Sequence, residues 1–312
     1  MVWSPALYLA VVAETRNMQD LNNKVAVITG AGSGLGRELV LAAARRGMRI
    51  AGADVDESGL AETKRLLLAE NPKAEFFSQK LDVSKLDAVQ AYADAVFAHY
   101  GAAHALFNNA GVATYGPLWQ HSEKDWTWLL GVNLLGVAWG VKAFVPRMIA
   151  QGEGHIVNIA SAAGWAYMPD LGLYNVTKSG VVALSETLLG DLRSAGSKLG
   201  VSVVCPAFFR TAINSSSRNR PAELLETKTE TAAVAAAPVE SEAARVSREK
   251  RAAYVEQLID ASPVSAKDIA ELTLGAVEAN RFYVFPHPEV KAFIGARAKN
   301  ATSDGVPPSS AV

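Results

Sequence analysis

Short, almost uninterrupted apolar runs alternate along this chain with longer stretches in which apolar positions return every three or four residues. The runs predict β-strands over residues 25–29, 49–53, 75–80, 105–108, 155–160, 201–205 and 282–285, since strands covered on both faces lose the polar alternation of a half-buried sheet. The periodic stretches predict helices over 35–46, 57–69, 85–100, 126–151, 174–195 and 266–279. Strands alternating with helices call for a parallel sheet sandwiched between helical layers. The expected fold class is therefore α/β: a doubly wound sheet of seven parallel strands with helices on both faces.

Three segments fall outside this rhythm. Residues 211–263 form a long insert whose Ala/Glu/Thr-rich middle suits either a helix or a partly disordered stretch. Inserts placed after a sheet strand commonly become lids. Residues 291–312 read as a tail, Ser/Pro/Gly-rich and disordered from 300 onward, and residues 1–22 as a disordered extension. The apolar run 5–13 falls far short of the roughly 20 residues that cross a bilayer, and it lacks the basic flank of a secretory signal. The expected organisation is one domain over residues 23–290. There is no internal repeat.

Composition narrows the function classes. Thirty basic against thirty-one acidic residues leave a net charge of −1, so neither nucleic acid nor an anionic membrane is an expected partner. A single cysteine, Cys205, excludes an internal disulfide, and one thiol with five dispersed histidines makes a structural metal site unexpected. This cysteine usage suits a reducing, cytoplasmic setting.

Chemistry begins after the first strand, with Thr29-Gly30-Ala31-Gly32-Ser33-Gly34-Leu35-Gly36 opening the first helix. Gly30 permits a tight turn, Gly34 lets the backbone approach a pyrophosphate, and Gly36 allows close helix–strand packing. The helix N-terminus beyond Ser33 and Leu35 adds N–H groups and a positive dipole for the anion. Eighteen residues past Gly36, Asp54 closes the second strand. A carboxylate there accepts from both ribose hydroxyls of NAD and repels the 2′-phosphate of NADP; a solvated strand-end turn is the plainer alternative. The expected cofactor is NAD.

Tyr174 and Lys178 lie four apart at a helix start and so share a face. A free tyrosine, with a pKa of about 10, is a poor base at neutral pH. A neighbouring ammonium, helped by a nicotinamide cation, favours phenolate and brings it toward the working range. Ser161 ends a strand thirteen residues earlier and can hydrogen-bond a substrate oxygen. Such a pair alone is ordinary helix surface; the glycine loop upstream and the strand-end serine give it meaning.

Together with Asp82-Val83, Asn108-Asn109-Ala110-Gly111, Asn133 and the stretch 206–211, these motifs resemble the short-chain dehydrogenase/reductase family in its single-domain Rossmann form. The resemblance covers residues 24 to about 285 in the family's order. It implies that Tyr174 is the acid/base on the alcohol or carbonyl oxygen, held by Ser161. Lys178 would bind the nicotinamide ribose and lower the tyrosine's pKa, and Asn133 would fix a water that relays the proton. Asp82 and Val83 would line the adenine, Asn109 would pass the adenosine ribose, and Phe209 and Thr211 would hold the carboxamide. Asn108 would tie adjacent strands. One departure is Pro206-Ala207, where the family has Pro-Gly.

Tyr115, Trp119, Trp165, Tyr167, Met168 and Phe208 are the expected substrate pocket, with Arg210 able to reach in. An apolar and aromatic lining favours a bulky secondary alcohol or ketone over a small hydroxy acid. Residues 131–150 and 286–290 are also similar to Cα-dehydrogenases acting on lignin-type aryl ether alcohols. Trp126, Trp128 and Trp139 are expected in the core or an interface. The family resemblance implies a homodimer or homotetramer on the long helices. Two other readings stay open, an NADPH-dependent carbonyl reductase and a non-catalytic dinucleotide sensor. A methyltransferase has no use for the Tyr/Lys pair.

Overall fold

The computed structural model describes residues 18–227 and 241–308. The expectations for residues 1–17, for 228–240 within the insert and for 309–312 lie outside these. In chain order the elements are β1 (Val25–Thr29), α1 (Gly34–Arg45), β2 (Arg49–Asp54), α2 (Glu57–Glu70), β3 (Phe76–Lys80), α3 (Leu86–Tyr100), β4 (Ala105–Asn108), α4 (Glu123–Leu129), α5 (Gly136–Gln151), β5 (His155–Ile159), α6 (Gly172–Ser194), β6 (Gly200–Val204), α7 (Glu242–Ala261), α8 (Ala266–Glu278), β7 (Tyr283–Val284) and α9 (Val290–Thr302).

The strands form one parallel sheet in the order β3-β2-β1-β4-β5-β6-β7, the doubly wound Rossmann arrangement. The order reverses between β1 and β4, and in such sheets the crevice at the carboxyl ends of the strands beside that reversal is where ligands bind.

Every residue of β1, β5 and β6 is buried, which explains their lack of polar alternation. On one face Ile28 and Ile50 pack against Leu39 of α1 and Ile269 and Leu274 of α8. On the other, Val27 and Leu106 meet Tyr92 of α3 and Phe144 and Met148 of α5. Each such side chain contributes about 1.5–3 kcal/mol by leaving water, so the two layers hold the sheet, and with it the crevice, in one place.

Most element ends fall within one or two residues of the pattern-based expectation, and the larger differences have local causes. The long helix starts before Trp126, because Ser122 and Asp125 form a reciprocal capping box at the start of α4. It also carries a π-helical turn, Leu130–Leu135, between α4 and α5. By length and composition this helix, Glu123–Gln151, could cross a membrane, but half of its apolar window is buried inside the fold. Met18 and Leu21 are buried in the core, so the packed unit takes in residues assigned to the extension.

At the other end, residues expected to be tail form α9, whose first residue, Val290, is buried. Asn300 donates to the Val306 carbonyl at 2.9 Å and folds the following residues back. Within the insert, 3₁₀ turns at Ala212–Asn219 and Ala222–Leu224 precede α7.

Candidate active site

A cavity of about 1610 Å³ runs along the carboxyl ends of the strands. Its first half is built by the glycine loop. Gly30 has φ +67°, and a β-carbon on Gly36 would lie 1.9 Å from the Gly30 carbonyl oxygen, so neither position accepts a side chain. Ser33, the N-cap of α1, makes no side-chain cap, and the first turn holds no acidic residue. The amides of Gly34, Leu35 and Gly36 and the local dipole are thereby left for an anion. Thr211 closes this cradle, since a β-carbon on Gly34 would stand 3.0 Å from its Oγ1.

Asp54 faces the same half. Gly32 and Asp56 donate backbone N–H groups to its two oxygens at 2.8 and 3.0 Å. Burial pushes the carboxyl above its ordinary range, and those backbone hydrogen bonds oppose the rise. Arg37 points away, with Nε on Thr63 at 3.0 Å and Nη2 on the Gly32 carbonyl. Asp82 and Val83 line the cavity, with one Asp82 oxygen accepting from both the amide and the hydroxyl of Ser84. Asn109 also lines it, but its amide donates to Thr29 and Gly30 carbonyls and fastens β4 to the glycine loop. Asn108 bonds Asn158 of the neighbouring strand at 2.9 Å. An uncapped helix start, a cradle closed to side chains and a strand-end carboxylate are the features a dinucleotide needs.

Ser161, Tyr174 and Lys178 line the same cavity. The Ser161 hydroxyl caps the turn Ala162–Gly164, accepting from Ala163 N at 3.1 Å, and donates to the Pro206 carbonyl at 3.3 Å. Lys178, 3% exposed, donates from Nζ to the Ile159 carbonyl at 2.8 Å. The spacing of Tyr174 and Lys178 on α6 puts both on the wall that Ser161 closes.

In the protein alone, burial dominates the electrostatics of both groups. Burial pushes the Tyr174 phenol well above its ordinary value, with the nearby Ser161 hydroxyl opposing. The same burial pulls Lys178 down to about 8. Desolvation disfavours both charged forms and outweighs the mutual stabilisation expected of the pair. The protein alone thus holds a neutral phenol, a proton donor, beside the substrate position.

Asn133 does not itself line the cavity. It is fully buried in the π turn, accepts from Val112 N at 2.8 Å, and donates to the Val112 carbonyl and to Thr177 Oγ1. A β-carbon on Gly111 would be 3.6 Å from both its Oδ1 and Lys178 Nζ. Its side chain therefore braces the loop after β4 beside the lysine, with its amide taken by protein partners.

The cavity also has an apolar, aromatic part. Tyr115, Trp165, Tyr167, Met168, Phe208 and Phe209 line it. Trp165 turns its indole N–H onto Cys205 Sγ at 3.4 Å and packs edge-on against Tyr283 and Phe285. Trp119 does not line the cavity: its short 3₁₀ turn, Leu118–Gln120, points outward and leaves it 84% exposed. Arg210 is also outside, paired with Asp260 at the surface.

Several participants were not singled out in the sequence. Trp128, expected in core or interface, is buried with Val112 and Leu173 and also lines the cavity. Arg220 lies over its ring and pairs with Asp125 and Glu226, fixing the base of the insert. Burial would raise Asp125, but His121 and Arg220 hold it down to about 2. His287 accepts from Ala207 N at 3.1 Å and faces Ser262 at 3.4 Å, beneath the turn where the family has glycine. Helices α7 and α9 roof the apolar part of the cavity. Arg220 meets Asp125, and His287 meets Ala207, across 95 and 80 residues, and no local spacing announces either contact.

Comparison with known proteins gives a consistent set. Residues 24–222 match the family model for short chain dehydrogenase. A CLA biosynthesis dehydrogenase/reductase of Lactiplantibacillus plantarum is 31% identical over 291 residues, covering 93% of this chain and 97% of that protein. A C alpha-dehydrogenase of a Sphingobium species is 32% identical over 280 residues, covering 88% and 84%. Among solved structures, a short chain dehydrogenase/reductase from Burkholderia phymatum in complex with NAD aligns with a TM-score of 0.84 at 40% identity, over 95% of this chain and 100% of that one.

Proposed function

The chain belongs to the short-chain dehydrogenase/reductase family of oxidoreductases, and from that premise we propose an NAD-dependent enzyme that interconverts a bulky hydrophobic or aromatic secondary alcohol and its ketone. The observation that carries this reading is that Ser161, Tyr174 and Lys178 line the same cavity as the glycine cradle and Asp54.

Asp54 supports NAD over NADP, since its carboxylate suits ribose hydroxyls and repels a 2′-phosphate. The NAD held by the Burkholderia relative supports the same choice. Gly34, Leu35 and Gly36 would hold the pyrophosphate, Asp82 and Val83 the adenine, Asn109 the adenosine ribose, and Phe209 with Thr211 the carboxamide. When bound, NAD supplies the hydride acceptor. Ser161 fixes the substrate oxygen, and Tyr174 exchanges a proton with it: the phenol donates in ketone reduction and receives in alcohol oxidation. Lys178 stabilises the ionised phenol. Phe208, Tyr167 and Trp128 support an apolar substrate, as does the C alpha-dehydrogenase relative for an aryl one. Exposed Leu135 and Val176 on the long helices support a homo-oligomer built there.

The test follows NADH absorbance with NAD or NADP and a panel of aliphatic, steroidal and aryl secondary alcohols, with Tyr174→Phe alongside. NAD-dependent turnover lost in the variant is the expected result. Preference for NADP would replace the reading with a carbonyl reductase, and tight NAD binding without any turnover would replace it with a dinucleotide sensor.

A further inference from the structure

Helix α7 roofs the apolar part of the cavity without belonging to any core. None of its described side chains is buried. The half-buried positions Arg248, Arg251, Val255, Leu258 and Ile259 recur at three- and four-residue spacing and all line the cavity. One stripe therefore faces inward while the opposite face is solvated, an arrangement with little hydrophobic hold on the body of the protein.

What seats the helix is a charged contact. Arg251 Nε and Nη2 both donate to Asp170 Oδ2, at 3.0 and 2.6 Å, with the two side chains only 20% and 16% exposed. Its Nη1 donates to Ser247 one turn earlier at 2.9 Å, which fixes the plane of the guanidinium. A second ion pair from α7, Asp260 with Arg210, has side chains 67% and 78% exposed. Exposed pairs of that kind contribute little. Partly buried, doubly hydrogen-bonded ones contribute more.

Asp170 is placed to make this contact matter. Its backbone is in the left-handed region, φ +64°, which a short polar side chain tolerates better than most. Its carbonyl accepts from Gly116 N at 2.9 Å, and Leu171 bridges to Gly116. The residue thus joins the loop after β4 to the loop that leads from Ser161 to Tyr174, four positions before the tyrosine.

We propose that Arg251 and Asp170 form the latch of the substrate roof, as positioning residues. Formed, the pair seats α7 over the reacting position; broken, it lets the roof lift so that substrate and product exchange. The role in turnover rests on the enzymatic reading above, whereas the latch itself does not.

The test uses the full chain loaded with NADH, as Asp170→Asn, Arg251→Gln and the double variant, with Asp170→Gly as a second removal of the carboxylate that tolerates the left-handed backbone. Hydrogen exchange of the α7 amides is read without substrate. Each single variant should exchange about tenfold faster, and the double variant no faster than the singles, because both remove one interaction. With a turned-over alcohol, KM should rise about tenfold while kcat holds or rises, and NADH affinity should not move. Unchanged α7 exchange in both Asp170 variants, or additive effects in the double variant, would overturn the latch. Faster exchange in a protein that turns over no alcohol would keep the latch and remove the enzymatic reading.

Discussion

The Lys178 ammonium stands 5.6 Å from the centre of the Tyr174 ring, tethered there by its 2.8 Å bond to the Ile159 carbonyl. Lys178 is almost fully buried and Tyr174 is half-buried on the cavity wall, so desolvation disfavours the charged form of each. Burial lowers Lys178 to about 8 and raises Tyr174, so the phenol is held in its neutral, proton-donating form.

Ketone reduction uses the neutral phenol, the form the protein already favours, so its rate should stay flat across neutral pH. Alcohol oxidation needs the phenol to lose its proton first, so its kcat/KM should climb as pH rises. In Tyr174→Phe, kcat should fall about 10²–10⁴-fold and the slope should vanish. Initial rates in both directions over a pH series test this. A variant retaining the slope would assign the titration to another group.

Asp54 accepts backbone N–H groups at both oxygens and still lines the cavity. Asp54→Ala should lower kcat/KM with NAD by about 10–100-fold, the worth of a charge-assisted hydrogen bond, and narrow the gap to NADP. Steady-state kinetics with both nucleotides measure it. Equal losses with NAD and NADP would mean that Asp54 only shapes the loop.

His155 is fully buried on β5, with Nε2 2.8 Å from the Ser202 hydroxyl. Burial depresses its pKa to about 3, while the unfolded chain titrates near the ordinary value of about 6.5. Between those values the unfolded state binds the extra proton, so stability drops as pH falls, by up to about 1.4 kcal/mol per pH unit. His155→Gln should flatten this dependence. Urea midpoints at pH 7 and pH 5 decide, and a variant as acid-sensitive as the parent would refute the assignment.

His287 must present the lone pair of Nδ1 to Ala207 N–H, which places its proton on Nε2, toward Ser262. His287→Leu removes the acceptor and leaves a partly buried amide unpaired, at about 1–3 kcal/mol. His287→Asn restores an acceptor. The leucine variant should lose stability by that amount and about tenfold in kcat/KM, and the asparagine variant should recover most of both. Thermal melts and kinetics on the two variants check it; equal behaviour would show that the hydrogen bond is not what His287 contributes.

The parts of the site legible in the sequence are those whose geometry is local. The 30–36 loop lies within one strand–turn–helix unit, and the Tyr174–Lys178 spacing is one helical turn. Asp54 was readable because a strand end beside β1 has nowhere else to go. Trp119 was misplaced because a loop's outward or inward turn is set by what packs beneath it. Residues 291–302 looked like tail because their apolar positions are sparse, and only Val290 docks firmly. His287 and Arg251 find their partners 80 and 81 residues away, distances over which no periodicity speaks. The protonation states of Tyr174 and Lys178 depend on burial that only the packed fold supplies.

The wall and roof of the cavity come from different stretches of the chain. Cradle, carboxylate and reacting groups all precede residue 212, whereas α7 and α9 belong to the last 71 residues counted from Glu242. The family match ends at residue 222, before either helix. The cavity is thus closed by chain that comes after the sheet strands β1 to β6 are complete. A change in α7 or α9 can therefore reshape the cavity while the glycine cradle, Asp54 and the Ser161, Tyr174 and Lys178 wall keep their own supports.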